Sequence, residues 1–318
     1  MENKPFFSVV VPVFNSQESL VELHRRLCET FHSLGKTYEL IFVNDCSQDD
    51  SLEILHKIEK DDSRVKVIDL TRNFGQQNAL LCGFGYCRGD YVITIDDDLQ
   101  NPPEEIRKLF QKIQEGHDAV FASYSRKKDK AYKNLGSLLV RKLTRKIFNL
   151  RNGLRFSSFR IIKRGIIEEI KQYKTPYPYI SGMILGVTRR IANQEVEHEK
   201  RRFGRSNYTL AKLVRLSFNL LINYSTYPLK IISVGGIIVS ILAFSVGIIV
   251  FVRKLMVETV RTGWTSAIML ISFFASMFFL IAFIFGEYLK RILAEVEDKK
   301  QYVIKSVHEP ESESKSSS

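Results

Sequence analysis

Three consecutive carboxylates, Asp96, Asp97 and Asp98, follow the apolar run YVITI in the stretch VITIDDDLQNPPEEI. Like charges crowded in this way repel, and a hard divalent cation, which takes several oxygen ligands, removes the repulsion. The other reading is a polar turn whose Asp or Asn residues cap a helix starting at Pro102-Pro103. If the strand pleat continues through the carboxylates, Asp96 and Asp98 share one face and Asp97 points to the opposite one. Asp96 and Asp98, with Gln100 after them, then suit a Mg2+ or Mn2+ that also grips a diphosphate. Asp97 is left as a capping or solvated carboxylate, and the weakest candidate for a general base.

These residues need a frame that brings them beside other polar groups. From Phe7 to about Ser125 the sequence alternates strand-like runs (SVVVPVF, YELIFVND, VKVIDL, YVITIDDD) with amphipathic segments (SLVELHRRLCETFHSL, SLEILHKIEKD, GQQNALLCGFGYC). Near-continuous apolar strands between amphipathic helices predict an α/β fold with a mostly parallel sheet covered on both faces. Ligands of such sheets sit beyond the carboxyl ends of the strands. Here those ends carry Phe14-Asn15, Asn44-Asp45 and Asp96 to Asp98. Asp45 sits in NDCSQDD, which is rich in cap-forming residues, yet its place at a neighbouring strand end favours reading a nucleotide base. No GxGxxG follows the first strand and no GxxxxGK[ST] occurs, which excludes an ordinary dinucleotide-binding domain and a P-loop NTPase.

The 318 residues carry a net charge of +12 and four cysteines, Cys28, Cys46, Cys82 and Cys87, without a CxxC pair. That pattern predicts reduced thiols rather than a zinc ribbon. The charge alone suits nucleic acid, an anionic membrane or a phosphorylated substrate. Ile231 to Val252 and Trp264 to Gly286 contain no charged residue, and each exceeds the roughly 20 apolar residues that span a bilayer. A transmembrane hairpin is therefore expected, with both chain ends on one side. Basic residues flanking it (Lys212, Arg215, Lys230, Lys290, Arg291) and an N-terminal run that reads as a buried strand rather than a signal peptide place that side in the cytoplasm. AYKNLGSLLVRKLTRKIFNL has the pattern of an amphipathic helix, suited either to an anionic membrane surface or to a core-facing stripe with a solvated face, and Tyr208 to Thr226 is a second candidate for an interfacial helix. From about His308 the chain is a polar tail expected to be disordered.

The blocks SVVVPVFN, FVNDCSQDDS, LTRNFGQQNAL, IDDDLQNPPEEI, FRIIKR, RRFGRSNYTLAKL and GEYLKRILAEV resemble, in that order, the family-2 glycosyltransferases of GT-A fold. The polyprenyl-phosphate subgroup is the most similar: bactoprenol glucosyltransferases, the aminoarabinose transferase acting on undecaprenyl phosphate, and dolichyl-phosphate mannose synthase. The resemblance implies that Pro12, Phe14, Asn15 and Asp45 contact the nucleotide, and that Asp96, Asp98 and Gln100 hold metal and diphosphate. It implies that Arg126, Arg160 and Arg202 meet the acceptor phosphate. The chain departs from the usual pattern at Ser16, Asp97, Ser157-Ser158 and Asn207.

The expected reaction is inverting transfer of a sugar from a nucleotide diphosphate, UDP-glucose first, to a polyprenyl phosphate for cell-envelope glycan modification. Alternatives are a UDP-amino sugar, GDP-mannose, or a processive polysaccharide synthase, the last disfavoured because the QxxRW motif is absent. The implied layout is a cytosolic catalytic domain at 1–206, an interfacial helix at 207–228, two membrane helices within 229–287 and a cytosolic segment at 288–318. The enzyme would sit in the inner membrane, with room for homo-oligomers through the spans.

Overall fold

The strand-like runs do form strands, and the first three are buried along their whole length. The structure is a computed structural model. It describes residues 4–124, 154–173, 178–199 and 300–309, with Thr175 and scattered positions between 234 and 293. The strands are β1 (Phe7–Val13), β2 (Tyr38–Asn44), β3 (Val65–Leu70), β4 (Tyr91–Thr94), β5 (Ala119–Tyr124), β6 (Arg160–Lys163), β7 (Ile191–Val196) and β8 (Ile304–His308). Between them run helices α1 (Leu20–Leu34), α2 (Ser51–Asp61), α3 (Gln76–Phe84), α4 (Ile106–Gln114), α5 (Arg164–Lys171) and α6 (Ile180–Val187). The strands form one sheet in the order β7-β5-β6-β4-β1-β2-β3-β8.

The half built from β3, β2, β1 and β4 is parallel throughout, as the apolar runs predict. The rest keeps the expected mostly parallel sheet, since six of the eight described strands run in one direction: β6 is antiparallel to both β4 and β5, β7 is parallel to β5, and β8 is antiparallel to β3. Alternation within the strands divides the core between the two faces. Val9, Val11, Leu40 and Phe42 pack with Leu23, Leu27 and Phe31 of α1. Val10, Ile41 and Val43 pack on the other face with Leu80, Cys82 and Phe84. Each such apolar side chain contributes about 1.5–3 kcal/mol when fully buried. On that second face α3 lies so close that a Cβ on Gly83 would meet Val10 Cγ1 at 2.3 Å.

Two elements differ from the sequence expectation. Pro102 and Pro103 open a short 3-10 turn, Pro103–Glu105, and the α-helix begins at Ile106, because proline supplies the fixed φ of a first turn but no N–H. The second is β8. The segment after the apolar runs returns to the sheet and covers the free edge of β3, where Lys305 Nζ lies 3.2 Å from Asp69 and the Thr71 N–H donates to the Val303 carbonyl at 3.0 Å. An unpaired edge invites association with other chains, and β8 removes it.

The chain divides into two compact units. One comprises Met1–Leu135, Phe148–Tyr208 and Lys299–Ser318, the other Gly136–Ile147 and Thr209–Asp298. The expected amphipathic helices, Arg126, Arg202, the tail beyond Glu309 and nearly all of the expected hairpin lie outside the described residues. Among the described residues no helix is long and apolar enough to cross a membrane.

Candidate active site

The rim at the carboxyl ends of β1, β2 and β4 is where the backbone departs from ordinary geometry. Asn15, Cys46 and Leu99 have φ of 53°, 58° and 57°, and they are the non-glycine residues with positive φ among those described. Each lies just past one of these strands. Asparagine tolerates the left-handed region, whereas Leu there is strained, and such strain gathers at functional sites. The turn at Leu99 lets the Gln100 N–H donate to Asp98 Oδ1 at 3.1 Å.

A cleft of about 530 Å³ opens at this rim, lined by Pro12, Val13, Phe14, Asp45, Asn73, Gly75, Gln76, Asp96, Asp97, Asp98 and Gln100. Most of the expected donor-site residues are therefore brought together. Asn15 is not among the lining residues: its Oδ1 accepts from the Gln48 N–H at 2.7 Å and its own N–H donates to Ser47 Oγ at 3.0 Å. It ties the rim loops of β1 and β2 to each other. Phe14 is 44% exposed and offers an apolar wall.

The carboxylates divide their labour, though not through the strand pleat. Strand β4 ends at Thr94, so Asp96 to Asp98 lie in the turn beyond it. Asp97 Oδ2 accepts from the Ser16 hydroxyl at 2.5 Å and the Phe14 N–H at 3.2 Å, and its carbonyl accepts from Ser19 Oγ at 2.6 Å. These bonds clamp the β1–α1 loop to the end of β4. Burial outweighs them and pushes the Asp97 pKa up to about 7.

Asp96 accepts from Gln76 Nε2 at 2.6 Å and from the Ser158 hydroxyl. Burial, reinforced by Asp98, outweighs these bonds and the charge of Arg160 and raises the Asp96 pKa. The Gln76 amide and the Ser158 hydroxyl that meet Asp96 are both neutral. Asp96, Asp98 and Gln100 offer oxygen donors only, a set that fits Mg2+ or Mn2+ rather than a thiophilic ion.

Asp45 is buried, and its two oxygens accept the N–H groups of Phe74 (2.7 Å) and Gly75 (2.8 Å). Gly75 has φ of 88°, a conformation costly for a residue with a Cβ. Burial wins over both bonds and raises the Asp45 pKa. Sequence reasoning did not single out Asn73, Gly75, Gln76 or Ser158 as site residues. The signal for the first three was the block LTRNFGQQNAL, with its glycine ahead of a helix.

Arg160 is not on the open cleft. It is 1% exposed, with Nε donating to Thr94 Oγ1 and Nη1 to Ser181 Oγ, both at 3.0 Å, and its guanidinium lies 5.6 Å from the centre of the Phe121 ring. Among the described residues it makes no ion pair. Burial lowers its pKa to about 10, against the opposing influence of Tyr179 and Asp96, so it stays charged at neutral pH. The Glu199 N–H donates to the Gln100 carbonyl at 2.9 Å, and Glu199 also pairs with Arg26 of α1 at 2.9 Å. The chain leading into the basic block at Arg201 is thus fastened to the carboxylate turn.

Residues 8–171 match the glycosyl transferase family 2. Over 299 residues the chain is 34% identical to an uncharacterized glycosyltransferase, YkcC, of Bacillus subtilis (strain 168), covering 94% of this chain and 93% of the relative. It is 32% identical over 312 residues to the undecaprenyl-phosphate 4-deoxy-4-formamido-L-arabinose transferase of Klebsiella pneumoniae (strain 342), covering 97% and 95%. Glucosyl-3-phosphoglycerate synthase from Mycobacterium tuberculosis, solved with Mn2+, UDP and phosphoglyceric acid, shares the fold at a TM-score of 0.50 and 20% identity, over 69% of this chain and 76% of that one. The cleft, its carboxylates and the α/β sheet that carries them are those of a glycosyltransferase, and the chain belongs to the glycosyl transferase family 2.

Proposed function

We propose that the enzyme transfers a sugar from a nucleotide diphosphate to a membrane polyprenyl phosphate, with inversion at the anomeric carbon. The observation that carries this reading is the gathering of Asp45, Asp96 and Asp98 on one cleft at the carboxyl rim. Asp45 accepts two backbone N–H groups, and a carboxylate has about four acceptor sites, so it retains capacity for an N–H on the donor base. Phe14 supplies a face for the base to lie against. A Mg2+ or Mn2+ on Asp96 and Asp98, beside Gln100, would neutralise charge on the diphosphate leaving group.

In the transfer, an oxygen of the lipid phosphate attacks the anomeric carbon as its bond to the diphosphate breaks, and the nucleoside diphosphate leaves. The attacking phosphate is already ionised near neutral pH, so no side chain has to remove a proton. Asp97, whose Oδ2 is held by Ser16 and Phe14, is a brace rather than a base in this reading. Buried Arg160 contributes a fixed positive charge behind Asp96, and direct phosphate contact is assigned to Arg126 and Arg202, whose guanidinium groups suit paired phosphate oxygens.

The lipid acceptor is supported by identity to the Klebsiella transferase across nearly the whole chain. The membrane hairpin is supported by two observations. Exposed large apolar residues concentrate in the stretch between the two halves of the catalytic unit, among them Ile238, Ile241, Ile271, Phe273, Phe278 and Phe285, and solvated proteins rarely expose such a set. Strand β8 follows that stretch and rejoins the catalytic sheet, so a segment that leaves this domain for a bilayer must cross it an even number of times. The cytosolic, interfacial and membrane segments keep the bounds given above, except that residues 304–308 belong to the catalytic sheet. UDP-glucose is the first donor to test, and a UDP-linked amino sugar is the second, the Klebsiella relative being named for a sugar with a nitrogen substituent, 4-deoxy-4-formamido-L-arabinose.

The test is transfer of radiolabelled sugar from a panel of UDP- and GDP-sugars to undecaprenyl phosphate by the detergent-purified chain, with Mg2+ or Mn2+. A metal-dependent product that extracts into organic solvent and is absent with Asp98→Ala is expected. Absence of any lipid product from a protein that binds the nucleotide would remove the lipid acceptor from this reading.

A further inference from the structure

Far from the catalytic rim, His24, Cys28 and Asp62 bring three different ligand atoms together. His24 and Cys28 stand one turn apart on α1, where positions i and i+4 are neighbours, and Asp62 is the residue that caps the C-terminal end of α2. His24 Nε2 lies 2.9 Å from Asp62 Oδ2, Cys28 Sγ lies 3.4 Å from His24 Nε2, and Cys28 Sγ lies 3.6 Å from Asp62 Oδ2. A tetrahedral zinc ion, with ligand bonds of about 2.0–2.3 Å, holds its ligand atoms about 3.3–3.6 Å apart. The triangle already has nearly that size.

A simple ion-pair cluster explains part of this arrangement but not all of it. Arg64 accounts for Asp62: its Nε and backbone N–H donate to Oδ1 at 2.7 and 3.0 Å, and Nη2 lies 2.9 Å from Oδ2. The ion pair does not call for a thiol against the same histidine nitrogen and the same carboxylate oxygen. Nor does it explain Tyr38, which packs on the same group, with the Arg64 guanidinium 4.6 Å from its ring centre. Its hydroxyl is buried and lies near the Cys28 thiol without a well-formed hydrogen bond to it or to any other group among the described residues. A buried orphan of this kind calls for an ion or water that completes the site.

We propose that His24, Cys28 and Asp62 bind a zinc-like divalent ion, with a water as fourth ligand within reach of the Tyr38 hydroxyl. The mixture of sulfur, nitrogen and oxygen selects a borderline-soft ion over Mg2+. Arg64 holds both oxygens of the carboxylate, Oδ1 through Nε and its backbone N–H and Oδ2 through Nη2, and so fixes it with Oδ2 toward His24 and Cys28, the usual task of an outer partner. Binding displaces the protons of Cys28 and His24. The ion would clasp α1 to the junction of α2 and β3. Tyr38 opens β2 and Asn44 ends it, a separation of about 20 Å at the rise of an extended strand. The clasp is therefore distinct from the carboxylate site that faces the donor.

Cobalt is the probe, because a thiolate on Co2+ gives a near-ultraviolet charge-transfer band that oxygen ligands do not. The full chain, purified in detergent with excess Mg2+, is titrated with Co2+ and followed by absorption. The band should saturate at a single equivalent, persist in Asp98→Ala, and vanish in Cys28→Ser and in His24→Gln. Zinc should raise the melting temperature of the parent chain and leave Cys28→Ser unmoved. Zinc should also shield Cys28 of the parent chain from alkylation, a readout that needs no variant to fold. Absence of the band, its survival in Cys28→Ser, or alkylation of Cys28 unaffected by zinc would overturn the assignment.

Discussion

Ser16 donates to Asp97 across the active-site rim at 2.5 Å, joining the loop after β1 to the turn after β4. With the Phe14 N–H on the same oxygen, the middle carboxylate of the trio is turned into a brace for the wall that carries Phe14. Its two neighbours line the same cleft, where the proposed reading has them meet the donor.

Asp97→Asn separates a brace from a base. The amide oxygen can still accept from Ser16 and Phe14, so turnover should fall only a few-fold. A general base would lose about 10²–10⁴ in rate on the same change. Asp97→Ala, which removes the acceptor altogether, should mainly raise the KM for the nucleotide sugar. Steady-state kinetics of the two variants decides between the roles.

Asp98→Ala and Asp96→Asn should each reduce kcat by about 10²-fold or more, because several kcal/mol of charge stabilisation at the leaving group is lost. Chelation of divalent ions should do the same to the parent chain. Nucleotide binding, measured by calorimetry without metal, should fall far less. Equal loss of binding and turnover would mean that the carboxylates shape the cleft rather than serve the chemistry.

Much of this site is legible in the sequence, and the reason is local. Continuous apolar runs dictate two-sided strands, and polar residues at their ends must fall on one rim, which places Asp45 and the Asp96 to Asp98 trio together. What stays hidden depends on contacts distant along the chain. Nothing near Asp45 announces that its oxygens are met by Phe74 and Gly75, and nothing near Arg160 reveals that Thr94 and Ser181 enclose it. Strand β8 is hidden for a third reason: a short edge strand with one exposed face has few apolar positions, and Val303 and Val307 are themselves exposed.

Arg160 tests a long-range electrostatic role. If its charge acts behind Asp96, Arg160→Met should depress kcat and destabilise the fold, since the Thr94 and Ser181 hydroxyls lose a buried partner at a cost of about 1–3 kcal/mol. Arg160→Lys should recover part of the rate. The KM for the lipid phosphate should change little in both. A large rise in that KM with stability intact would instead place Arg160 on the acceptor.

Arg26 holds Glu104 through paired bonds at 2.9 and 2.7 Å and also reaches Glu199. Burial acts to raise the Glu104 pKa, but the bond to Arg26 prevails and lowers it. A carboxylate with a lowered folded pKa contributes stability that is present above its unfolded value and lost as pH falls through the folded one. The melting temperature should therefore drop on acidification below about pH 4.5, and Arg26→Met should flatten that part of the profile. Glu104 is about half exposed, so screening limits the pair to about 1 kcal/mol at neutral pH. A profile unchanged by Arg26→Met would show that other carboxylates govern acid unfolding.

The return of β8 to β3 makes a topological prediction that needs no knowledge of the substrate. Val67 pairs with His308 and Ile68 with Val307, so β8 must lie on the same side of any membrane as the rest of its sheet. Reporter cysteines placed at Glu2 and at Ser316, in a chain whose own cysteines are replaced by serine, should both be labelled from the cytoplasmic face of inverted vesicles. A cysteine at Thr262, between the apolar runs, should be labelled only from the opposite face. Ends labelled from different faces would break the pairing with β3 or the hairpin. Removal of residues 302–318 provides the complementary check: it uncovers the β3 edge and should lower the melting temperature and promote aggregation, because the edge would again offer unpaired backbone groups.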